Sequence, residues 1–462
     1  MKNNIVVPLF VCFMFVVSIA LNLKMQRTNN NPMSKNDCRC CKMSPAAERD
    51  NRPDTLLLPD VRLKLFEEVE SMPSDDAVTF RTKTGELVLS STNPWVQKGP
   101  YGMEDIGQKQ YTSDLIYYSG RVFSLAYNES EFFYNGLLVG AGGGGLWRED
   151  GSLYDPIGDN LPSLHIGAVA IDPGYYNRIF VGTGHFHEKV GAGVYRTTDG
   201  GGHWDKASIS PTPTGVSKII VRADWVFVAS DSGIFRSWDL GDNWQRVFTH
   251  STSDLAWSAN YSYLLAGCPG DGLYKSTNYG GTWEPLCEPF TIGLPLAGYG
   301  SISLDISKSN QNIAYAQVGN PTLNTVLGVY KTTNAGSDWT NVTPSPSFSG
   351  GKTKYLDQQA YNNVLSIHPS NPNIVWAGGV LLIRTSNGGS SWSDIGATGA
   401  FPRLVHGDVH ALLYYGDRLF VGSDGGVFYT DNEGASWSSQ RNRSLPISVF
   451  HNMAIDPDNG KL

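Results

Sequence analysis

The sequence predicts an all-β chain whose main body is a seven-bladed β-propeller, and three observations carry that expectation. The first is a pattern, Ser/Thr-x-Asp/Asn-x-Gly-x-x-Trp, that occurs six times, each copy behind a short apolar run, with its tryptophans at Trp204, Trp244, Trp283, Trp339, Trp392 and Trp437. Their spacings of 40, 39, 56, 53 and 45 residues lie in or somewhat above the range of one four-stranded blade per repeat. The second is a degenerate seventh unit ahead of them, from Arg121 through Gly145-Leu146-Trp147-Arg148-Glu149-Asp150-Gly151, with Tyr154 in place of the terminal Trp. The third is composition. The 462 residues include 51 Gly and 25 Pro, 11% are aromatic and only 17% charged, which suits many turns between short strands and excludes wholesale disorder.

In chain order, Lys2 precedes an uncharged run from Ile5 to Leu23, with Lys24 and Arg27 behind it, so residues 1–24 read as a signal peptide or a single membrane anchor. Ser18-Ile19-Ala20 offers small residues for cleavage, and a run of 19 is near the ~20 a membrane helix needs. Either reading places the remainder outside the cytoplasm, secreted or held at the membrane by that segment. Residues 25–85 read as a polar tether and linker with one helix-like stretch at 61–72. Cys12, Cys38, Cys40 and Cys41 show no zinc-type spacing. Residues 86–462 read as the propeller, its units starting near 121, 166, 215, 253, 300, 363 and 408.

The second unit illustrates each blade: apolar strands at 166–171, 179–181 and 193–196, the turn motif, and a fourth strand beginning at Trp204. In the motif the Asp or Asn accepts backbone N–H bonds across the turn, Gly supplies a positive φ, and Trp packs between blades. Asp199, Asp239, Asn278, Asn334, Asn387 and Asn432, with the six tryptophans, are therefore expected to be structural. Cys268 and Cys287 flank one repeat and are a candidate disulfide. Asn128, Asn260, Asn341 and Asn442 stand in glycosylation sequons. Residues 449–457 read as the first strand of another unit. A truncated frame, a ring closed by pairing that strand with the segment around Trp95, and a partial extra blade all account for it.

The repeated motif resembles the Asp-box, or BNR, repeat of sialidases, xyloglucanases, sortilin-type receptors and photosystem II assembly factors. Finer resemblance comes from Trp95-Val96-Gln97-Lys98-Gly99-Pro100, Gly120-Arg121-Val122, Gln359-Ala360-Tyr361-Asn362, His406-Gly407-Asp408-Val409-His410-Ala411-Leu412 and Gly422-Ser423-Asp424-Gly425-Gly426-Val427. Over residues 95–462 these look like secreted, xyloglucanase-related BNR proteins. The resemblance implies a propeller and leaves activity open. A sialidase is disfavoured because no Arg-Ile-Pro motif precedes the first box, and a sortilin because no cysteine-rich module follows.

Propeller geometry puts the motif turns on one face, while ligands usually meet the other. On that upper face stand His406, Asp408 and His410 at the start of the seventh unit, Asp424 in its second-to-third loop, and His185 and His187 in the corresponding loop of the second unit. If the ring closes, these units are neighbours. Two readings stay open: the side chains hydrogen-bond loop backbones, or they form a ligand site, with His406, His410, His185, His187 and Tyr361 as ligand-binding residues. Tyr101, Tyr111, Phe186 and Tyr355 are further rings near the top loops. His-x-Asp-x-His also suits a metal, but no longer ligand motif accompanies it, and neither a metal nor a cofactor is expected. By resemblance to inverting xyloglucanases, Asp424 is a candidate catalytic carboxylate with Asp408 as its partner, two carboxyls ~6.5–9.5 Å apart being needed. The first-blade loop, Gly142 to Gly145, holds no carboxylate where such an enzyme needs one. The expected function is thus a propeller recognising a glycan or protein ligand, with glycoside hydrolysis of β-glucans or an assembly role as alternatives. The net charge of −8 argues against a nucleic-acid partner.

Overall fold

The structure, a computed structural model, describes residues 117–447 apart from 128–135, 188–189, 287–290, 345–357 and 396–404, with three short strands upstream at Thr79–Thr82, Gly85–Val88 and Met103–Glu104. The expected leader and the tether with its cysteines lie outside the described residues, as do Trp95, Asn128 and the strand at 449–457. Among the described residues no helix is long and apolar enough to cross a membrane.

Seven antiparallel sheets follow one another along the chain as a seven-bladed propeller. Their inner strands are Val122–Tyr127, Ile166–Ile171, Val216–Arg222, Asp254–Trp257, Ile302–Ile306, Val364–Ile367 and Val409–Tyr415. Each packs beside the next, and the seventh packs on the first, so the ring is closed around a central cavity of about 520 Å³. The second strands are buried along their whole length in five blades, as in Leu137–Ala141, Ile179–Thr183 and Leu264–Cys268, and in the other two only the first residue, Trp225 or Arg418, is half-buried. They read as unbroken apolar runs because a neighbouring blade covers both faces. The core is accordingly a series of interblade layers; Phe180 and Val194 of blade two, for example, meet Val216, Val228 and Phe235 of blade three. Glycine permits this closeness: a Cβ on Gly182 would come within 2.3 Å of Val216.

The six motif turns share one hydrogen-bond pattern. In the first, Thr197 Oγ1 accepts from Asp199 N and Gly201 N, and Asp199 Oδ1 accepts from His203 N at 3.0 Å. The residue before the motif glycine and the glycine itself both take positive φ, at 76° and 105° for Gly200 and Gly201 and 55° and 93° for Leu240 and Gly241. Asn at the acidic position makes the same bonds: Asn278 Oδ1 accepts from Thr282 N at 2.9 Å. Charge is not what the turn uses. The tryptophans pack into interblade layers, and Trp204 Nε1 and Trp392 Nε1 donate to carbonyls of the preceding blade, Ile157 and Val342.

A second device links neighbouring blades. The third strand of each of the first six blades carries a basic side chain that donates to the carbonyl just before the motif glycine in the next blade. The pairs are Arg148 to Gly200, Arg196 to Leu240, Arg236 to Tyr279, Lys275 to Ala335, Lys331 to Gly388 and Arg384 to Glu433. Blade seven has Tyr429 at that position, and blade one has no motif to receive a clasp.

The seam is therefore built differently. Among the described residues blade seven has three strands, and residues 438–447 stand in for the fourth. Tyr429 and Ser438 exchange both backbone bonds, and Val427 N donates to Asn442 Oδ1 at 2.7 Å. A 3-10 turn, Gln440–Arg443, carries Arg441 across the rings of Phe420 and Tyr429 into an ion pair with Glu149 of blade one. Ser119 Oγ donates to Leu445 O at 2.7 Å, and Leu445 and Ile447 are buried against Val122, Leu137 and Val139. Among the described residues closure thus rests on residues 117–119 and 438–447; the pairing near Trp95 that the sequence suggested lies outside them.

Cys268 is fully buried, with Sγ 3.8 Å from Thr252 Oγ1, and its expected disulfide partner Cys287 lies outside the described residues. Asn442 is wholly buried as part of the seam, donating to Tyr117 O, so its sequon offers no accessible amide in the folded chain.

Candidate functional site

The turns joining second to third strands, and the segments leading into the inner strands, share the face opposite the motif turns. Five elements converge there at one side of the channel mouth. Arg121 leads into the inner strand of blade one and Tyr361-Asn362 into that of blade six. Asp408 and His410 open blade seven, Asp424 occupies its second-to-third turn, and His185 to His187 form that turn in blade two. The turn at Asp424 is tight, with Ser423 paired to Gly426. Gly425 leaves room for His406, since a Cβ there would lie 2.4 Å from the His406 Cβ, and Gly426 sits at φ 103° against Asn442.

Asp424 is the hub. Its Oδ1 is 2.8 Å from His410 Nε2 and 3.2 Å from Arg121 Nε, and the Tyr361 hydroxyl donates to the carboxylate at 2.9 and 3.0 Å. The His410 side chain is 1% exposed and that of Asp424 25%. Burial raises the affinity of Asp424 for its proton, but the bond and charge of His410, then Arg121, then the Tyr361 hydroxyl outweigh it and hold the carboxyl below the usual range. Asp408 moves the other way. Burial and the neighbouring Asp424 charge push its carboxyl up, against His410, His406 and the 2.7 Å bond from Asn362 Nδ2. Its backbone is at φ 58°, uncommon for Asp.

Rings pack around the hub. Arg121 lies over Phe123 and Tyr361, with its guanidinium carbon 5.4 and 5.1 Å from their centroids. Tyr361 and Phe123 meet His410 edge-on at 4.8 and 4.9 Å, and His185 stacks on Phe123 at 4.0 Å. Burial, then the charges of His187, His410 and Arg121, drive the His185 imidazole well below its ordinary pKa, so it is neutral at physiological pH. Gly142 makes the approach of Arg121 and Phe123 possible: a Cβ there would stand 2.8 Å from both.

Asp408, Asp424, His410, His185, His187 and Tyr361 are thus gathered in one sector, with His187 the most exposed of them. His406 turns aside, its Nδ1 2.9 Å from Gly407 O and its ring edge-on to Tyr118 at 5.5 Å. Tyr101, Tyr111 and Tyr355 lie outside the described residues. Arg121, Phe123 and Asn362 also belong to the cluster; Arg121 and Asn362 stand in sequence segments that carry the resemblance but are not among the expected site residues, and Phe123 has no sequence signal beyond its apolar strand. No group of three metal-ligating side chains occurs among the described residues.

Corresponding turns show what is particular to Asp424. In blade three, Asp231 bonds the Thr214 hydroxyl at 2.6 Å, and in blade four Asp271 bonds His250 Nδ1 at 2.7 Å. An aspartate fastening its turn to a segment leading into an inner strand is therefore a repeated device. At Asp424 alone of these three does it gather partners from blades one, six and seven.

A family model described as DUF6242 beta propeller domain matches residues 175–368. A xyloglucanase of Paenibacillus sp is 22% identical over 395 residues, covering 77% of this chain and 35% of that protein. The chain spans about a third of the length of the curated relatives it matches. Among solved structures, the GH74 enzyme of Niastella koreensis is similar with a TM-score of 0.51 at 17% identity, over 70% of this chain and 54% of the other. An ancestral GH74 enzyme gives 0.54 at 18%, over 70% and 46%. At these identities the likeness shows the fold.

Proposed function

We propose that this chain is an exported propeller that recognises a glycan or protein ligand at the channel mouth, without bond cleavage at Asp424. The observation that carries this reading is the saturation of Asp424. Its carboxylate is held by Tyr361, His410 and Arg121 and is kept ionised by them. A group so engaged sets the positions of rings and cations from three blades, as a preorganised binding surface requires. The apolar run at residues 5–23 supports export.

A second reading is favoured by one observation. Asp408 is pushed up while Asp424 is pushed down, and two carboxyls driven apart in this way are how an inverting hydrolase divides acid from base. The likeness to xyloglucanases makes β-glucans its substrate class. The test is reducing-sugar release from β-glucans, xyloglucan included, by the full chain and by Asp424→Ala and Asp408→Asn. Folded protein that releases no sugar is expected. Release that disappears in both variants would replace recognition by hydrolysis.

A further inference from the structure

The opposite face carries a feature that neither the ring nor the channel mouth uses. In blades three and four it displays three large rings: Trp238 is 48% exposed, Tyr279 42% and Tyr261 40%. Trp238 and Tyr279 stand inside motif turns, and Tyr261 stands in the hairpin between Asp254–Trp257 and Leu264–Cys268. The two tyrosines are braced from behind. Tyr279 stacks on Trp225 at 5.2 Å and 17°, and Tyr279 and Tyr261 both meet Trp257 edge-on, at 6.0 and 5.0 Å. Arg236 lies over Trp225 and donates to Tyr279 O; Arg222 lies over Trp257 and Tyr261 and donates to Ser258 O.

Two of the exposed rings sit where the backbone disfavours them. Tyr261 has φ 62° and Tyr279 φ 56°. The position of Tyr279 is held by Gly200, Leu240, Ala335, Gly388 and Glu433 in the other blades, all at positive φ, so the turn has no need of an aromatic residue, and of these side chains only the Tyr279 ring is an exposed large hydrophobic.

We infer that this aromatic platform is a separate binding site for a neutral polysaccharide chain. Charge and shape choose the ligand. Arg222 and Arg236 are already turned onto rings and carbonyls, Asp239 is bonded within its own turn to Ser237 and Asn243, and Asp242 is paired with Arg196, so the charges here are matched internally; Asn260, Asn278 and Thr282 add amides and a hydroxyl. A pyranose chain matches that surface: its C–H faces lie on flat, rigid rings, and its hydroxyls meet neutral polar groups. The rings are held in place before binding, which lowers the ordering cost.

The test is calorimetric titration of the full chain with cellohexaose, beside Trp238→Ala and Tyr279→Gly. Glycine suits the φ of residue 279, so that variant keeps the turn, and a thermal melt checks both folds. Leu323→Ala, an exposed apolar change on the other face, is the control. The parent is expected to bind, each ring variant to lose at least tenfold in affinity, and the control to match the parent. No binding by the parent, affinity unchanged in both ring variants, or capture of a polyproline peptide instead of the sugar would overturn the assignment. Binding that both ring variants keep would belong to the channel mouth, so the variants tell the two sites apart.

Discussion

His410 Nε2 and Asp424 Oδ1 lie 2.8 Å apart, joining an inner strand to a hairpin turn of the same blade, with the imidazole 1% exposed. Asp424 has two further partners from other blades, so removing the imidazole leaves the charge only partly compensated. His410→Ala is expected to cost about 2–4 kcal/mol in urea unfolding, and Asp424→Asn to recover part of that in the double variant. A cost below about 0.5 kcal/mol would show that Arg121 and Tyr361 hold the carboxylate unaided.

Asp305 makes stability depend on pH. Burial pushes its carboxyl up to about 6, against the Ile367 amide and the charges of Lys218 and Lys308. A raised folded pKa means that the native state holds its proton longer than the unfolded chain does. The contribution is therefore full below about pH 4 and lost as pH rises through about 6. Asp305→Asn should remove that fall and stabilise the protein at pH 8 by about 1–3 kcal/mol. Denaturant curves at pH 5 and pH 8 decide; equal gains at both would refute it. Asp408 shifts in the same direction, so the variant is needed to separate the two.

The seam is expected to be more sensitive than the other junctions. Arg236→Ala removes one clasp to a carbonyl on an accessible rim and should cost about 1–2 kcal/mol. Arg441→Met strips a buried ion pair and leaves the Glu149 carboxylate, 12% exposed, without its cation, for about 3–5 kcal/mol. Thermal melts of the two variants should rank in that order, and the reverse ranking would place the weak point elsewhere.

Gly184 precedes the blade-two histidines at φ 78°, and a Cβ there would stand 2.0 Å from Thr214 O. Gly184→Ala must shift backbone, which carries His185 off Phe123. Loss of at least tenfold in affinity for the channel-mouth ligand is expected, with a melting temperature several degrees lower. Unchanged binding would remove His185 from the recognition surface.

The fold was legible because a turn needs particular backbone chemistry at fixed offsets, and six copies of that chemistry survive in the sequence. In blade two the strands at 166–171, 179–183, 194–197 and 205–206 follow the apolar runs closely. The seam was not legible: Asn442 reads as a sequon and Arg441 belongs to no motif, and only the three-dimensional meeting with Val427 and Glu149 gives them their work. The cluster was partly legible. His410 and Asp424 stand out as polar residues beside apolar strands, whereas Arg121 and Asn362 matter through partners more than forty residues away.

Ser119 and Leu445 are joined across 326 residues of chain. On a chain made from its N-terminus, blade one must therefore wait with one flank bare until blade seven and residues 438–447 have emerged. Blades two to six can assemble pairwise from local contacts, but the last step joins the most distant segments. During that interval the apolar flank formed by Val122, Leu137 and Val139 lacks the cover that blade seven and residues 445–447 give it in the closed ring. Yield on expression is thus set at residues 438–447, and truncation before them would favour aggregates over open rings.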